Sequence, residues 1–231
     1  MSRHRGGSAV MIRFGHLDID FDERVLTPRA WTARQSEWAA ELSADLPDGP
    51  MLELCSGAGQ IGLLAAALVG RRLVCVDADP VACAFARANA ERAGLSHLVE
   101  VRHSSMDQAL DPDERFHLVI ADPPWVPTAQ VGRYPEDPLL AIDGGADGMQ
   151  VARTCLATTA RHLSPGGAAV LQLGTTDQAD RVLQLLEGSD LAVEEVRDSP
   201  GEGVLVHIAR AAVPSMPSTA AGYPELEGKV G

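Results

Sequence analysis

Aromatic residues are scarce in this chain: Trp, Tyr and Phe together make 4% of its 231 residues. A core filled mainly by Leu, Val and Ala is expected instead, and 45% apolar content is enough for one. Positive charge is also short, with 19 Lys and Arg against 32 Asp and Glu and a net charge of -13. Such a surface repels phosphate backbones and argues against non-specific nucleic-acid binding. The small basic patch Arg3-His4-Arg5 reads as part of a solvated start. The four cysteines, Cys55, Cys75, Cys83 and Cys155, form no C-x-x-C pair, which argues against a zinc site. No apolar run is long enough to span a bilayer and no apolar signal core opens the chain, so a cytosolic protein is expected. The length suits one α/β domain, and no internal repeat is visible.

What is present is an alternation of short apolar strands with helical segments. Residues 1–10 are expected to be a disordered leader. Residues 11–48 read as a β-hairpin turning at Asp22-Glu23, then a helix capped by Thr32. Residues 49–210 read as the core, and residues 211–231, rich in Pro, Ala, Ser and Gly, as a disordered tail. Within the core the expected order is strand 51–55, helix 60–69, strand 72–76, helix 80–93, strand 98–102 and strand 115–121. A long polar loop at 127–148 follows, then helix 149–163, strand 168–173, helix 176–187 and strands 191–197 and 203–209. The alternation predicts a mostly parallel sheet with helices on both faces and an antiparallel last strand.

Two segments carry chemistry. Ser56-Gly57-Ala58-Gly59-Gln60-Ile61-Gly62 joins the first core strand to a helix, a turn where the backbone can approach a ligand. Asp77 ends the next strand, placed for ribose hydroxyls, while Asp79 before Pro80 reads as a helix cap. The glycine pattern matches the dinucleotide fingerprint too, so it leaves an NAD enzyme open. Asp122-Pro123-Pro124-Trp125 follows the fourth core strand. Two prolines make the turn rigid and remove its N–H donors, leaving carbonyls and a carboxylate as acceptors. That suits gripping an N–H and aiming its nitrogen, with the Trp125 indole able to stack on a planar amide or base. A plain Pro-rich turn is the bland alternative, as turn chemistry is for Asp143 and Asp147.

With these segments quoted, the chain resembles the HemK/PrmC family of S-adenosylmethionine-dependent methyltransferases, which modify glutamine amides in release factors. The matching segments are Pro28-Arg29, Glu53-Leu54-Cys55-Ser56-Gly57-Ala58-Gly59, Asp122-Pro123-Pro124-Trp125 and Ala141-Ile142-Asp143-Gly144-Gly145-Ala146-Asp147-Gly148, within residues 16–210. The resemblance implies a Rossmann-like class I fold with a seven-stranded sheet. It implies an S-adenosylmethionine site at Glu53, Cys55, Gly57, Gly59, Asp77, Ala78, Ser105, Met106 and Asp122. It implies an acceptor site at Asp122, Pro123, Pro124 and Trp125, with Arg29 and Asp143 beside it. This chain departs from the pattern at Asp122 for asparagine, Trp125 for tyrosine, Cys55 for glycine, and Ser105 (with Asp107 near) for the adenine-binding acid. The glutamate after the family's Pro-Arg is missing, and only a short leader stands where bacterial members carry a helical docking domain. The acceptor therefore stays open: a protein glutamine, a small-molecule amine or, against the charge, a nucleobase amino group.

Overall fold

The computed structural model describes residues 9–212. The expected leader and tail fall largely outside that range. Strands β1 (Val10–Phe14) and β2 (Leu17–Phe21) form the hairpin, with Phe14 paired to Leu17. The hairpin therefore turns at Gly15-His16, not at Asp22-Glu23. Gly15 is left-handed, at φ 58°, and a Cβ there would lie 2.8 Å from Leu64, so both conformation and space require glycine. Asp22 instead holds the turn after β2, accepting from the Arg24 backbone and guanidinium. Helix α1 (Ala33–Ser43) follows a short 3-10 turn. Thr32 does not cap it: its hydroxyl donates to the Arg29 carbonyl.

The core runs β3 (Met51–Leu54), α2 (Gln60–Val69), β4 (Leu73–Asp77), α3 (Pro80–Arg92), β5 (Val99–His103) and β6 (Phe116–Ala121). The 127–148 loop contains a 3-10 turn and the four-residue helix α4 (Leu139–Ile142). Then come α5 (Gln150–His162), β7 (Leu163–Leu173), α6 (Thr176–Leu186), β8 (Leu191–Ser199) and β9 (Gly203–Arg210). The sheet order is β5-β4-β3-β6-β7-β9-β8, with β9 antiparallel to both neighbours. Strand β7 starts earlier than expected, carrying Pro165-Gly166-Gly167 within it.

Strand parity divides the core. Leu52, Leu54, Val74 and Val76 pack on one face with α5 and α6, while Met51, Leu73 and Cys75 pack on the other with α1, α2 and the hairpin. Asn89 of α3 fastens the hairpin by accepting from Asp20 N and donating to the Asp20 and Ala58 carbonyls. The sheet order reverses direction between β3 and β6, so the C-terminal ends of those strands open a crevice. Such a switch point is where ligands bind in open α/β sheets.

Candidate functional site

The glycine loop lies on one side of that crevice. Cys55 has φ 58° and is the sole non-glycine residue in the left-handed region among the described residues. It occupies a glycine-like slot, as its sequence position suggests. Gly57 and Gly59 follow at φ 53° and 82°. A Cβ on Gly59 would press on Ala86 at 3.1 Å, whereas the space in front of Gly57 is open to 3.9 Å. Asp77 closes the loop: one carboxylate oxygen accepts from Gly57 N at 2.7 Å, the other from Asp79 N at 2.9 Å. Burial raises its pKa despite those donors. Asp79 caps α3 through Val81 N at 2.8 Å. The buried Ser56 hydroxyl has no partner among the described residues. An open glycine turn, an unpartnered hydroxyl and a strand-end carboxylate fit an adenosyl amino acid such as S-adenosylmethionine.

Glu53 stands apart from the other residues assigned to that site. It shares the face of Met51, and its carboxyl turns to α2, accepting from Gly62 N at 2.8 Å and the Cys75 thiol at 3.3 Å. It is 2% exposed, and burial raises its pKa to about 8. The structure therefore gives its carboxyl a place braced against α2. Gly62 is glycine because a Cβ there would lie 2.3 Å from that carboxyl. Around β5, the exposed His103 ring meets the Ala78 carbonyl at 3.1 Å, and Ser105 is exposed. Met106 touches Cys155 at 3.5 Å. Asp107 lines a separate cavity with Arg115 and Arg161.

Across the crevice lies a cavity of about 650 Å³. Distant segments wall it: residues 26–32, Gln60, the Asp122–Ile142 stretch, Asp147, the β7–α6 turn with the start of α6, and the β8–β9 turn. Asp122, Pro123, Pro124 and Trp125 all line it, as does Arg29. Arg29 pairs with Asp137 at 2.9 Å, joining two walls. Arg34 ties the β8–β9 turn through Ser199 at 2.8 Å and through Glu202. Among the described residues the Asp122 carboxyl receives no hydrogen bond. Burial raises its pKa to about 7, and the charge of Arg29 pulls the other way.

The Asp143–Gly148 stretch is a splint behind the Asp122–Trp125 turn. Val126 N donates to Ile142 O at 3.0 Å and Gly144 N to Val126 O at 2.8 Å. A Cβ on Gly144 would lie 2.7 Å from the Pro124 carbonyl, and one on Gly148 2.4 Å from the Trp125 carbonyl. Asp143 does not line the cavity. It accepts from Thr128 Oγ1 at 2.7 Å and Gly145 N at 2.9 Å, bonds that lower its pKa. Asp147 does line it, and Arg153 and the Met149 N–H hold its pKa down at about 2.

Gln178 completes the splint and carries no recognisable motif. Its buried amide donates to the Trp125 carbonyl at 2.9 Å and the Gly148 carbonyl at 3.2 Å, and accepts from Gly174 N at 2.9 Å. The Trp125 indole lies against Gly174, where a Cβ would be 2.1 Å from the ring. The only available signal was a polar residue on the buried side of an amphipathic helix's first turn.

Comparison with known proteins agrees with this geometry. Residues 38–134 match the family model described as the methyltransferase small domain. The chain is 33% identical over 193 residues to the release factor glutamine methyltransferase of Gloeobacter violaceus, covering 80% of this chain and 67% of that one. It is 31% identical over 166 residues to the ribosomal protein uL3 glutamine methyltransferase of Burkholderia pseudomallei, covering 66% of this chain and 54% of that one. The chain thus spans about half to two thirds of the length of these relatives. A methyltransferase structure from Pyrococcus furiosus shares the fold, with TM-score 0.64 at 18% identity over 86% of this chain and 91% of that one.

Proposed function

This chain belongs to the S-adenosylmethionine-dependent glutamine methyltransferases, and from that membership we propose that its acceptor is the side-chain amide of a glutamine in a protein. The observation that carries the proposal is the state of Asp122. It holds the place of the family's asparagine, and among the described residues nothing donates a hydrogen bond to it. With its pKa raised to about 7 by burial, the carboxyl holds its proton below that pH. Like a carboxamide, a neutral carboxyl offers one carbonyl acceptor and one donor. It is an amide's partner. An amine reader would be expected to keep the charge.

S-adenosylmethionine supplies an electrophilic sulfonium methyl group, so the chain's task is orientation. Asp77, the Gly57 turn and the Ser56 hydroxyl would hold it. On the acceptor side, the Asp122 carbonyl oxygen and the Pro123 carbonyl converge on one amide N–H and turn the nitrogen toward the glycine loop. The same acceptors stabilise the positive charge growing on nitrogen until its proton, which a neutral Asp122 does not take up, passes to water. The Trp125 ring gives the planar amide a face to lie on. The splint of Gly144, Gly148 and Gln178 supports the turn from behind, so the acceptors do not retreat as charge develops.

A protein acceptor fits the relatives, whose names place the modified glutamine in a release factor or in uL3. Among the described residues no helix is long and apolar enough to cross a membrane, and the acidic balance disfavours a nucleic-acid acceptor. The test is product identification. Recombinant release factor and uL3 are incubated with the enzyme and labelled S-adenosylmethionine, and the methylated residue is located by fragmentation mass spectrometry. Label on a glutamine side chain is the expected result. Label confined to an amine overturns the reading.

A further inference from the structure

We propose that Gln60 is a second contact for the acceptor amide, resting on the glutamine reading above. Gln60 opens α2, directly after the left-handed Gly59. The residue is only 9% exposed, yet its Oε1 has no hydrogen-bond partner among the described residues. A buried amide oxygen left without a donor is costly, and its persistence in a crevice points to a ligand that satisfies it. Its position says which ligand. The oxygen lies beside the glycine turn, 3.9 Å from where a Cβ on Gly57 would be. Yet of Cys55–Gln60, Gln60 alone lines the cavity with Asp122.

The chemistry of the acceptor asks for such a group. A primary amide presents two N–H donors and one carbonyl. The first three residues of the Asp122 turn offer no free N–H, since that of Asp122 goes to the Leu54 carbonyl at 3.4 Å and the two prolines have none. They take one of the acceptor's two N–H groups and leave the other, with a lone pair of its carbonyl, unmet. A carboxamide opposite answers both needs: its NH₂ donates to the acceptor carbonyl while its Oε1 accepts the second N–H. Asp122 and Gln60 then grip the same amide from opposite sides.

The probes are acetyl-Gly-Gln-Gly-amide and N-acetylglutamine methylamide, methylated with tritiated S-adenosylmethionine by the full chain. Gln60→Ala should raise KM for both probes about tenfold or more, the loss of one to two hydrogen bonds to a buried partner. The S-adenosylmethionine Kd by calorimetry should stay at the wild-type value. Gln60→Glu, which keeps an acceptor and loses the donor, should lie between. Gln60→Leu, which removes an unpartnered polar group, should hold or raise the melting temperature of the ligand-free protein. A weakened S-adenosylmethionine Kd with unchanged probe KM would overturn the inference and give Gln60 to the donor. A lowered melting temperature in Gln60→Leu would make it a structural strut. Unchanged KM in Gln60→Ala would leave it without a role. If the wild type methylates neither probe, the glutamine reading itself fails, and this inference with it.

Discussion

The two sides of the crevice are built in different ways. The donor side is local: the loop from Cys55 to Gly59, closed by Asp77, 20 residues beyond Gly57. The acceptor side gathers segments that lie far apart in sequence. Arg29 meets Asp137 across it, 108 residues away, and Gln178 meets Trp125 across 53. On the donor side a ligand meets exposed backbone and a carboxylate already held by N–H groups. On the acceptor side it meets a walled cavity whose key carboxyl is held by nothing. The difference suits the two tasks. A donor common to many enzymes calls for a standard cradle, and an acceptor particular to one enzyme calls for a bespoke wall.

Substitutions should separate the two sides. The largest expected effect is Asp122→Ala. Loss of a preorganised acceptor aimed at developing charge costs about a hundred- to a thousandfold in turnover. S-adenosylmethionine affinity, measured by calorimetry, should not change. Next comes Gly148→Ala. Its φ of 71° and the 2.4 Å approach to the Trp125 carbonyl force the splint and the turn apart. A displacement on the scale of an ångström costs up to about a hundredfold in rate, again with donor affinity intact. Asp77→Ala should show the opposite pattern. S-adenosylmethionine binding weakens by about 1.5–3 kcal/mol, while turnover at saturating donor is nearly preserved. Unchanged affinity in that variant would remove Asp77 from the donor site.

Glu53→Gln should move turnover least and reveal itself in stability. The folded-state pKa of Glu53 is raised from 4.5 to about 8, so the native state holds a proton that the unfolded chain gives up. That difference lowers native stability progressively as pH rises between those two values. Denaturant titrations at several pH values should show the variant gaining on the wild type toward pH 8. A gap independent of pH would show that Glu53 is ionised in the folded protein.

The contrast also decides what could be read from the residues. Strand order, the antiparallel last strand and the glycine loop were legible because each is written in consecutive residues: a period of two, a glycine turn, an Asp-Pro helix start. Cys55 in a glycine slot and Asp79 as a cap were legible for the same reason. Glu53 drew a ligand role from its place at a strand end. Its bond to Gly62 N was not legible there, since it depends on parity, shared with Met51, that turns the carboxyl to α2. The hairpin turn was misplaced because Asp22-Glu23 looks like turn chemistry, whereas Gly15 fits beneath Leu64 only as glycine. Asp143 was placed beside the acceptor, whereas its carboxyl holds Thr128 and the Gly145 N–H, because the splint's purpose depends on what it packs behind. Gln178 and the Arg29–Asp137 pair were invisible, since their meaning is purely tertiary. Nothing near them in the chain distinguishes them from a helix amide or a surface charge.

Asp122 as a neutral partner for an amide is the core of the proposed chemistry. It is tested by the turnover of a glutamine acceptor by the wild type and by Asp122→Asn, followed against pH. With a pKa raised to about 7, the wild type's Asp122 is protonated below that value and ionised above it. The wild-type rate should therefore fall as pH rises through 7. Asp122→Asn should remain active and lose that descending limb, because a carboxamide is neutral throughout. A wild-type rate that rises through pH 7, with Asp122→Asn falling to the level of Asp122→Ala, would contradict the claim and make the carboxylate itself the working group.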